Sequence, residues 1–290
     1  MFDAPASAPA VDLDAYFRRI GYDGPRAPTR ETLRAIAVRH PDAIPFENLD
    51  VLLGRGISIV PADIDAKLIG GGRGGYCYEQ NGLLKRVLQA LGFQVEGLMA
   101  RVLWMAPEGA PPRPRSHQVL GVTIPGEFGE GEVWLADAGF GGCVLTAPLR
   151  LFSDEVQDTP HGKFRILDTQ TGGVAERRVQ ADLSGRWATL YHVSQGGWAE
   201  VDYEQANFFT YTHPSSHFTW SMTVGRTTAT ARYALKNNRF THRDLTGAVV
   251  EQRDLSVDEL EATLRDVIGL PVEADWRPVL EKVVAWGTPA

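Results

Sequence analysis

Arg73-Gly74-Gly75-Tyr76-Cys77-Tyr78-Glu79-Gln80-Asn81 joins a glycine-rich turn to an apolar stripe at helical spacing, Leu83, Leu84, Val87, Leu88 and Leu91, closed by Gly92. The period predicts a helix buried along one face, with Cys77 in its first turn. A thiol there meets unpaired backbone N–H groups and the positive end of the helix dipole. Both favour thiolate, the nucleophilic form. The glycines leave the sulfur uncrowded and allow a substrate close to the backbone. Most free cysteines are small buried hydrophobes, but a core cysteine seldom sits on such a turn.

Working outward, Leu13, Tyr16, Phe17 and Ile20 predict a helix stopped at Gly21; Leu33, Ile36 and Ala37 predict a second, ending at Pro41; Ile64 and Leu68 predict a short third after Pro61. Beyond Phe93 the period changes to that of strands, expected over 95–104, 117–124, 132–137, 163–168 and 187–193. This middle block reads as a small barrel or sandwich, or as a mixed sheet packed on the helices. Residues 105–114 are rich in Pro and Gly and read as an exposed loop. Residues 198–211 are a helix or an irregular crossover, and strands are expected at 218–224, 228–235 and 248–253. Ser256 and Glu259 form a capping box ahead of a terminal helix, and Pro278 opens a last one. The fold class is therefore α+β, with boundaries near 93 and 200: segments 1–93, 94–200 and 201–290.

Twenty-nine basic against 36 acidic residues give a net charge of −7, which disfavours bulk nucleic-acid binding. Two cysteines, Cys77 and Cys143, build no disulfide framework and suit a reducing compartment. No apolar run has the length of a membrane span, and Met1-Phe2-Asp3-Ala4-Pro5 lacks signal-peptide character. The expectation is a soluble, cytoplasmic protein with no membrane partner.

A thiol nucleophile needs a base and an orienting group. His117, in Arg115-Ser116-His117-Gln118-Val119-Leu120, begins a strand leaving the Pro-rich loop. Asp137, in Val133-Trp134-Leu135-Ala136-Asp137-Ala138-Gly139-Phe140-Gly141, ends the next strand, and antiparallel neighbours can bring it to His117. Taken singly, such a His is more often structural and such an Asp a turn former. Gly139-Phe140-Gly141-Gly142 is either an anion nest or a plain turn. His213 and His217 are four apart, but Pro214 intervenes and no third ligand stands out, so no metal is expected. His40, His161, His192 and His242 read as surface or turn residues, and Cys143 as structural. The G-x-G-x-x-G within residues 70–75 lacks the βαβ context of a dinucleotide site.

Together these residues resemble the arylamine N-acetyltransferase family. Residues 73–81 match its R-G-G-x-C-x-E-x-N, Pro45-Phe46-Glu47-Asn48-Leu49 its P-F-E-N-L, and Ser116-His117 and Asp137-x-Gly139-Phe140-Gly141 the segments supplying His and Asp. Asn207 and Pro214-Ser215-Ser216-His217-Phe218 are similar to a later block, although Tyr211-Thr212-His213 replaces the usual Ser-Thr before that proline. The resemblance implies an N-terminal helical bundle, a central β-barrel and a C-terminal α/β lid around a core like that of transglutaminases and cysteine proteases. It implies a Cys77-His117-Asp137 triad, acetyl-CoA as donor, and an arylamine or hydrazine acceptor acetylated by a ping-pong route through acetyl-cysteine. It places Phe46, Val102 and Phe140 in the acceptor pocket, and Trp104, Ser116, Gly139, Gly141 and Gly142 near the donor. Arg101, Arg113 and Arg115 lie in the segment where CoA phosphates are expected. An amide synthase or a thiol hydrolase using the same triad is the alternative.

Overall fold

The computed structural model describes residues 10–104, 106–107, 109–125 and 132–287. Met105 and Glu108 of the expected loop and the first five residues lie outside these. The helical first part comprises α1 (Leu13–Ile20), α2 (Arg30–Ala43), the two-residue strand β1 (Phe46–Glu47), α3 (Leu49–Leu52), α4 (Pro61–Ile64, continued by a π turn to Gly70) and α5 (Cys77–Ala90). The Asp12 carboxylate accepts from Ala15 N–H at 2.9 Å to start α1, and Gly21 ends it at φ +62°. Then follow β2 (Gln94–Val102), β3 (His117–Thr123), β4 (Trp134–Ala136), β5 (Leu149–Arg150), β6 (Gln157–Thr159), β7 (Gly162–Thr171), β8 (Val174–Leu183) and β9 (Arg186–Ser194). The last part holds α6 (Glu200–Thr212), β10 (Thr223–Thr227), β11 (Arg232–Lys236), β12 (Arg239–Arg243), β13 (Val249–Asp254), α7 (Val257–Ala262) and α8 (Arg277–Trp286).

Strands β2–β9 form one antiparallel sheet of order β5-β4-β3-β2-β9-β8-β7-β6. Leu98, Val119, Leu135, Phe164, Val179 and Val193, from six of its strands, meet in a single core. A sheet whose strands share one interior has curled into a barrel-like form. The opposite face is apolar as well: Leu120, Val122, Trp134 and Ala136 pack with Leu84, Val87 and Leu88 of α5 and with Tyr16, Leu33 and Ile36. Alternation along β3 therefore splits the strand between two cores and presses α5 against it. The α+β class holds, and of the readings left open for the middle block the curled sheet is the one found.

The second sheet, β1-β10-β11-β12-β13, draws its first strand from the helical part: Phe46 pairs with Gly225 and Glu47 with Val224. Its core joins Leu49, Val224, Leu235, Leu260, Trp276 and Leu280. This splice brings the segment before Cys77 under the C-terminal part.

Several expectations are corrected. Helix α2 passes through Pro41 to Ala43, because a proline in the last turn forfeits little of the hydrogen-bond ladder. The strand expected at 218–224 is a 3-10 turn, His217–Thr219, followed by β10. Residues 198–211 fall largely in α6, which runs from Glu200 to Thr212, and the Ser256–Glu259 box caps α7 as expected. Strands β8 and β12 were not expected, since charged residues break a simple apolar alternation, Glu176, Arg177 and Arg178 in β8 and Arg239 and Arg243 in β12.

His40 is not a surface residue: it has no exposure at all. Its Nε2 donates to Gln80 Oε1 at 2.7 Å, and its Nδ1 accepts from the Tyr16 hydroxyl at 2.8 Å. Gln80 in turn donates to the carbonyls of Ile44, Pro45 and Gly75. His161 is also buried, held by Thr146 and by the Thr228 carbonyl. His192 and His242 are partly buried within β9 and β12.

Burial pushes His40 down to about 4, aided by the charge of Arg19 and opposed by its bond to Gln80. An unfolded histidine titrates near 6.5, so between about pH 6.5 and 4 the unfolded chain binds the extra proton. Its stability contribution is complete above that window and is lost as pH falls through it. Urea denaturation at about pH 7 and about pH 5 is expected to show a smaller loss for His40→Gln than for the parent. Equal losses would remove His40 from the account.

Candidate active site

The N-terminus of α5 is fixed first. Glu79 Oε2 accepts from Tyr76 N–H at 2.9 Å, capping the helix from within. The same carboxylate binds Lys67 at 2.7 Å, and Lys67 also reaches Asp50 at 2.7 Å. Arg73 contacts Glu47 at 2.7 Å and Asp50 at 3.1 Å, and its guanidinium lies over the Trp276 ring. This buried network ties the glycine turn to the segment following β1, so Cys77 starts from a rigid support. Gly74 has no room for a side chain, because a Cβ there would run into the Pro45 carbonyl.

Three side chains from α5, β3 and the end of β4 then meet. His117 Nε2 donates to Asp137 Oδ2 at 2.8 Å, and both residues are buried. Cys77 is near enough for its charge to act on the His117 ring. With Nε2 committed to Asp137, the ring offers Nδ1 to the sulfur. Cys77 Sγ lies 3.7 Å from the Ser116 carbonyl oxygen.

The other carboxylate oxygen of Asp137 accepts from Asn81 Nδ2 at 2.9 Å and from Gly139 N–H at 2.8 Å. Asn81 also donates to the Gln118 carbonyl at 2.7 Å and accepts from Ala138 N–H at 2.9 Å. One amide thus joins α5, β3 and the loop after β4. Burial alone would raise the Asp137 carboxyl, but His117, Asn81 and Gly139 hold it below the ordinary range. Burial alone would lower His117, but the charge and hydrogen bond of Asp137, with help from Cys77, carry it up to about 10. The pair stabilises an imidazolium beside a sulfur, the electrostatics suited to drawing a proton from a thiol.

Aromatic rings close around this chain of groups. Phe46, Tyr76, Tyr78, Met99 and Tyr203 pack with Cys77 in one cluster, with Phe218 against it. Phe218 stands 6.0 Å from Phe46 and 5.8 Å from Tyr76. Phe140 meets the His117 ring edge-on at 5.5 Å, and Trp104 meets Phe140 edge-on at 6.4 Å. Val102 pairs in register with Tyr191, whose ring lies 5.1 Å from His117. A Cβ built on Gly141, whose φ is +78°, would stand 3.2 Å from the Phe46 ring. A Cβ built on Gly142 would stand 3.3 Å from the Ala234 side chain of β11. The Gly139 N–H is committed to Asp137, and a Cβ on Gly139 would stand 2.6 Å from Cys77 Cα, so only glycine permits this approach.

Sequence reasoning passed over Asn81 as more than a motif position, and over Tyr191 altogether. The Asn81 signal was its place one helical turn beyond Cys77, on the same face. Tyr191 comes from a distant strand and left no local signal. Arg101 binds Glu176 at 3.2 Å, while Arg115 reaches Ser194 Oγ at 2.7 Å and Glu176 at 3.6 Å. Among the described residues no group of three or more His, Cys, Asp or Glu is placed to hold a metal, and no helix is long and apolar enough to cross a membrane. His213 bonds Ser215 and stacks on Phe209, while His217 lies against Phe218.

Two outcomes follow from this geometry. Asp137→Asn is expected to lower the pH at which His117 titrates from about 10, read by NMR of the imidazole; an unchanged titration would mean that the carboxylate is not the cause. Gly139→Ala is expected to slow alkylation of Cys77 by iodoacetamide at least tenfold by displacing its neighbours, with the far-UV circular dichroism retained. Parent-like alkylation would show that the close approach is dispensable.

The N-acetyltransferase family model matches residues 29–277. The chain is 40% identical over 282 residues to an arylamine N-acetyltransferase of Mycolicibacterium smegmatis, covering 94% of this chain and 99% of the relative. It is 41% identical to an arylamine N-acetyltransferase of Escherichia coli K12, covering 90% of this chain and 89% of the relative. The solved structure of Mycobacterium marinum arylamine N-acetyltransferase in complex with CoA superposes with a TM-score of 0.86 at 37% identity, covering 94% of this chain and 98% of that one.

Proposed function

Because the chain belongs to the arylamine N-acetyltransferase family, we propose that it moves an acetyl group from acetyl-CoA to an arylamine or hydrazine through an acetyl-cysteine at Cys77. The observation that carries the reading is the buried His117–Asp137 pair beside Cys77, whose sulfur lies 3.7 Å from the carbonyl oxygen of Ser116. A solved relative in complex with CoA supports a CoA thioester as donor.

In the first half-reaction His117 Nδ1 takes the Cys77 proton while Asp137 holds the Nε2–H and steadies the resulting imidazolium. The sulfur attacks the thioester carbonyl, and N–H groups at the helix start face the developing oxyanion. The carbon–sulfur bond to CoA breaks, and CoA leaves with the proton returned by His117. In the second half the amine attacks the acetyl carbon, His117 removes the amine proton, and the Cys77 sulfur departs to regain it. Thioester exchange between two sulfurs is nearly balanced, so the acyl group waits for an acceptor while the pocket keeps water away.

Phe46 and Phe140 supply flat apolar walls for an aromatic acceptor, with Val102 beside them. Trp104, Ser116, Gly141 and Gly142 border the donor side, and Gly139 contributes by letting the Asp137 loop approach. The division into 1–93 bearing the nucleophile, 94–200 bearing His117 and Asp137, and 201–290 as a lid belongs to the same proposal. The shared sheet β1-β10 supports it, since the lid is anchored beside Phe46.

Intact-mass analysis after incubation with acetyl-CoA tests the reading. The parent is expected to gain one acetyl group, lost on adding an arylamine with stoichiometric acetylarylamine formed. Cys77→Ala is expected to gain none and to lose turnover by at least 10³-fold. Loss of the acetyl group to water, with no preference for amines, would replace transfer by hydrolysis. Steady-state plots are expected to be parallel, and intersecting lines would exclude the covalent intermediate.

A further inference from the structure

Away from Cys77, three polar side chains form a row across the end of the second sheet. Thr227 ends β10, Arg232 starts β11 directly opposite it, and Arg243 ends β12 directly opposite Arg232. Residues opposite one another in antiparallel strands project from the same face. Two positive groups so placed repel unless something neutralises them.

The row is short of partners. Arg232 is 5% exposed; one guanidinium nitrogen donates to the Val144 carbonyl at 3.0 Å, while its Nη2 is buried with no partner. Thr227 is 1% exposed, and its hydroxyl too is buried and unpartnered. Arg243 is partly exposed and donates to the Gly247 carbonyl at 2.9 Å. Among the described residues neither arginine forms an ion pair with a carboxylate. Its neighbours do not supply the charge. Burial raises the Cys143 thiol, which therefore stays protonated in spite of both arginines. His161 is pushed down to about 4 by burial and by the charge of Arg232, and stays neutral. A buried guanidinium with no counter-charge and an idle donor is costly, and an idle buried hydroxyl beside it adds to the cost.

We propose that Thr227, Arg232 and Arg243 bind a small oxyanion, of which inorganic phosphate is the probe, at the seam between the second sheet and the barrel-like sheet. The two arginines supply charge and directed N–H donors, and the threonine a hydroxyl donor. Arg243 is the open end of the row, while the burial of Arg232 and Thr227 suits a small free ion. The seam is the one crossed by the Arg232–Val144 and His161–Thr228 hydrogen bonds, so an ion there cements the lid to the barrel.

Thermal unfolding of the intact protein in inorganic phosphate, against chloride at equal ionic strength, tests this. The parent is expected to show a rise in Tm that saturates with phosphate. Thr227→Val, which keeps the shape and removes the donor, is expected to weaken the apparent affinity about tenfold, and Arg243→Gln to remove saturation. No phosphate-specific rise in the parent, or an equal rise in both variants, overturns the proposal. If CoA but not phosphate gives a shift that depends on Arg243, the row reads a phosphate of the donor, and the free-anion site falls.

Discussion

A hydrogen bond of 2.8 Å between two buried side chains, His117 and Asp137, is the contact the surrounding structure is arranged to hold. Each group would be driven toward its neutral form if buried alone. Together they keep each other charged, and the same field reaches Cys77. The pair works only if three separate elements stay in register. Asn81 keeps them there: it reaches back from the Cys77 helix to the strand bearing His117 and to the loop bearing Asp137. Two unrelated cores meet on β3, one inside the curled sheet and one against α5, and that shared strand places the imidazole beside the thiol.

Below this pair lie two further buried supports. The ionic one runs from Glu47 and Asp50 through Arg73 and Lys67 to the cap at Glu79. Breaking such a pair on one side costs roughly 3–5 kcal/mol, because the remaining charge is stranded. The neutral one runs from Tyr16 through His40 to Gln80 and the carbonyls of Pro45 and Gly75. Both end on the two backbone segments that carry Phe46 and Cys77. The site is therefore stiff where the sulfur sits and lined by aromatic rings where a flat substrate would lie.

What was legible in the sequence follows from range. The Cys77 helix, its apolar stripe and its glycine turn are local, and reading them required only period and turn chemistry. The meeting of His117 with Asp137 followed from strand adjacency, which the β3–β4 pairing supplies. The buried state of His40 was not legible, because its partners are 24 and 40 residues away and a histidine near a helix end reads as exposed. Strand β8 was missed since Glu176, Arg177 and Arg178 interrupt its alternation; Glu176 is buried only by virtue of Ser194, Thr171 and Arg101 on other strands. Pro41 misled for the opposite reason, a strong local signal placed where it costs the helix little.

The central claim is that the Cys77 sulfur, activated by His117, accepts the acetyl group before any amine is present. Rapid mixing of the enzyme with acetyl-CoA alone measures this directly, by counting the CoA thiol set free. The account predicts a burst of one CoA per enzyme that then stops, and its absence in His117→Asn. Release of CoA only after an arylamine is added, or an undiminished burst without the imidazole, would contradict it.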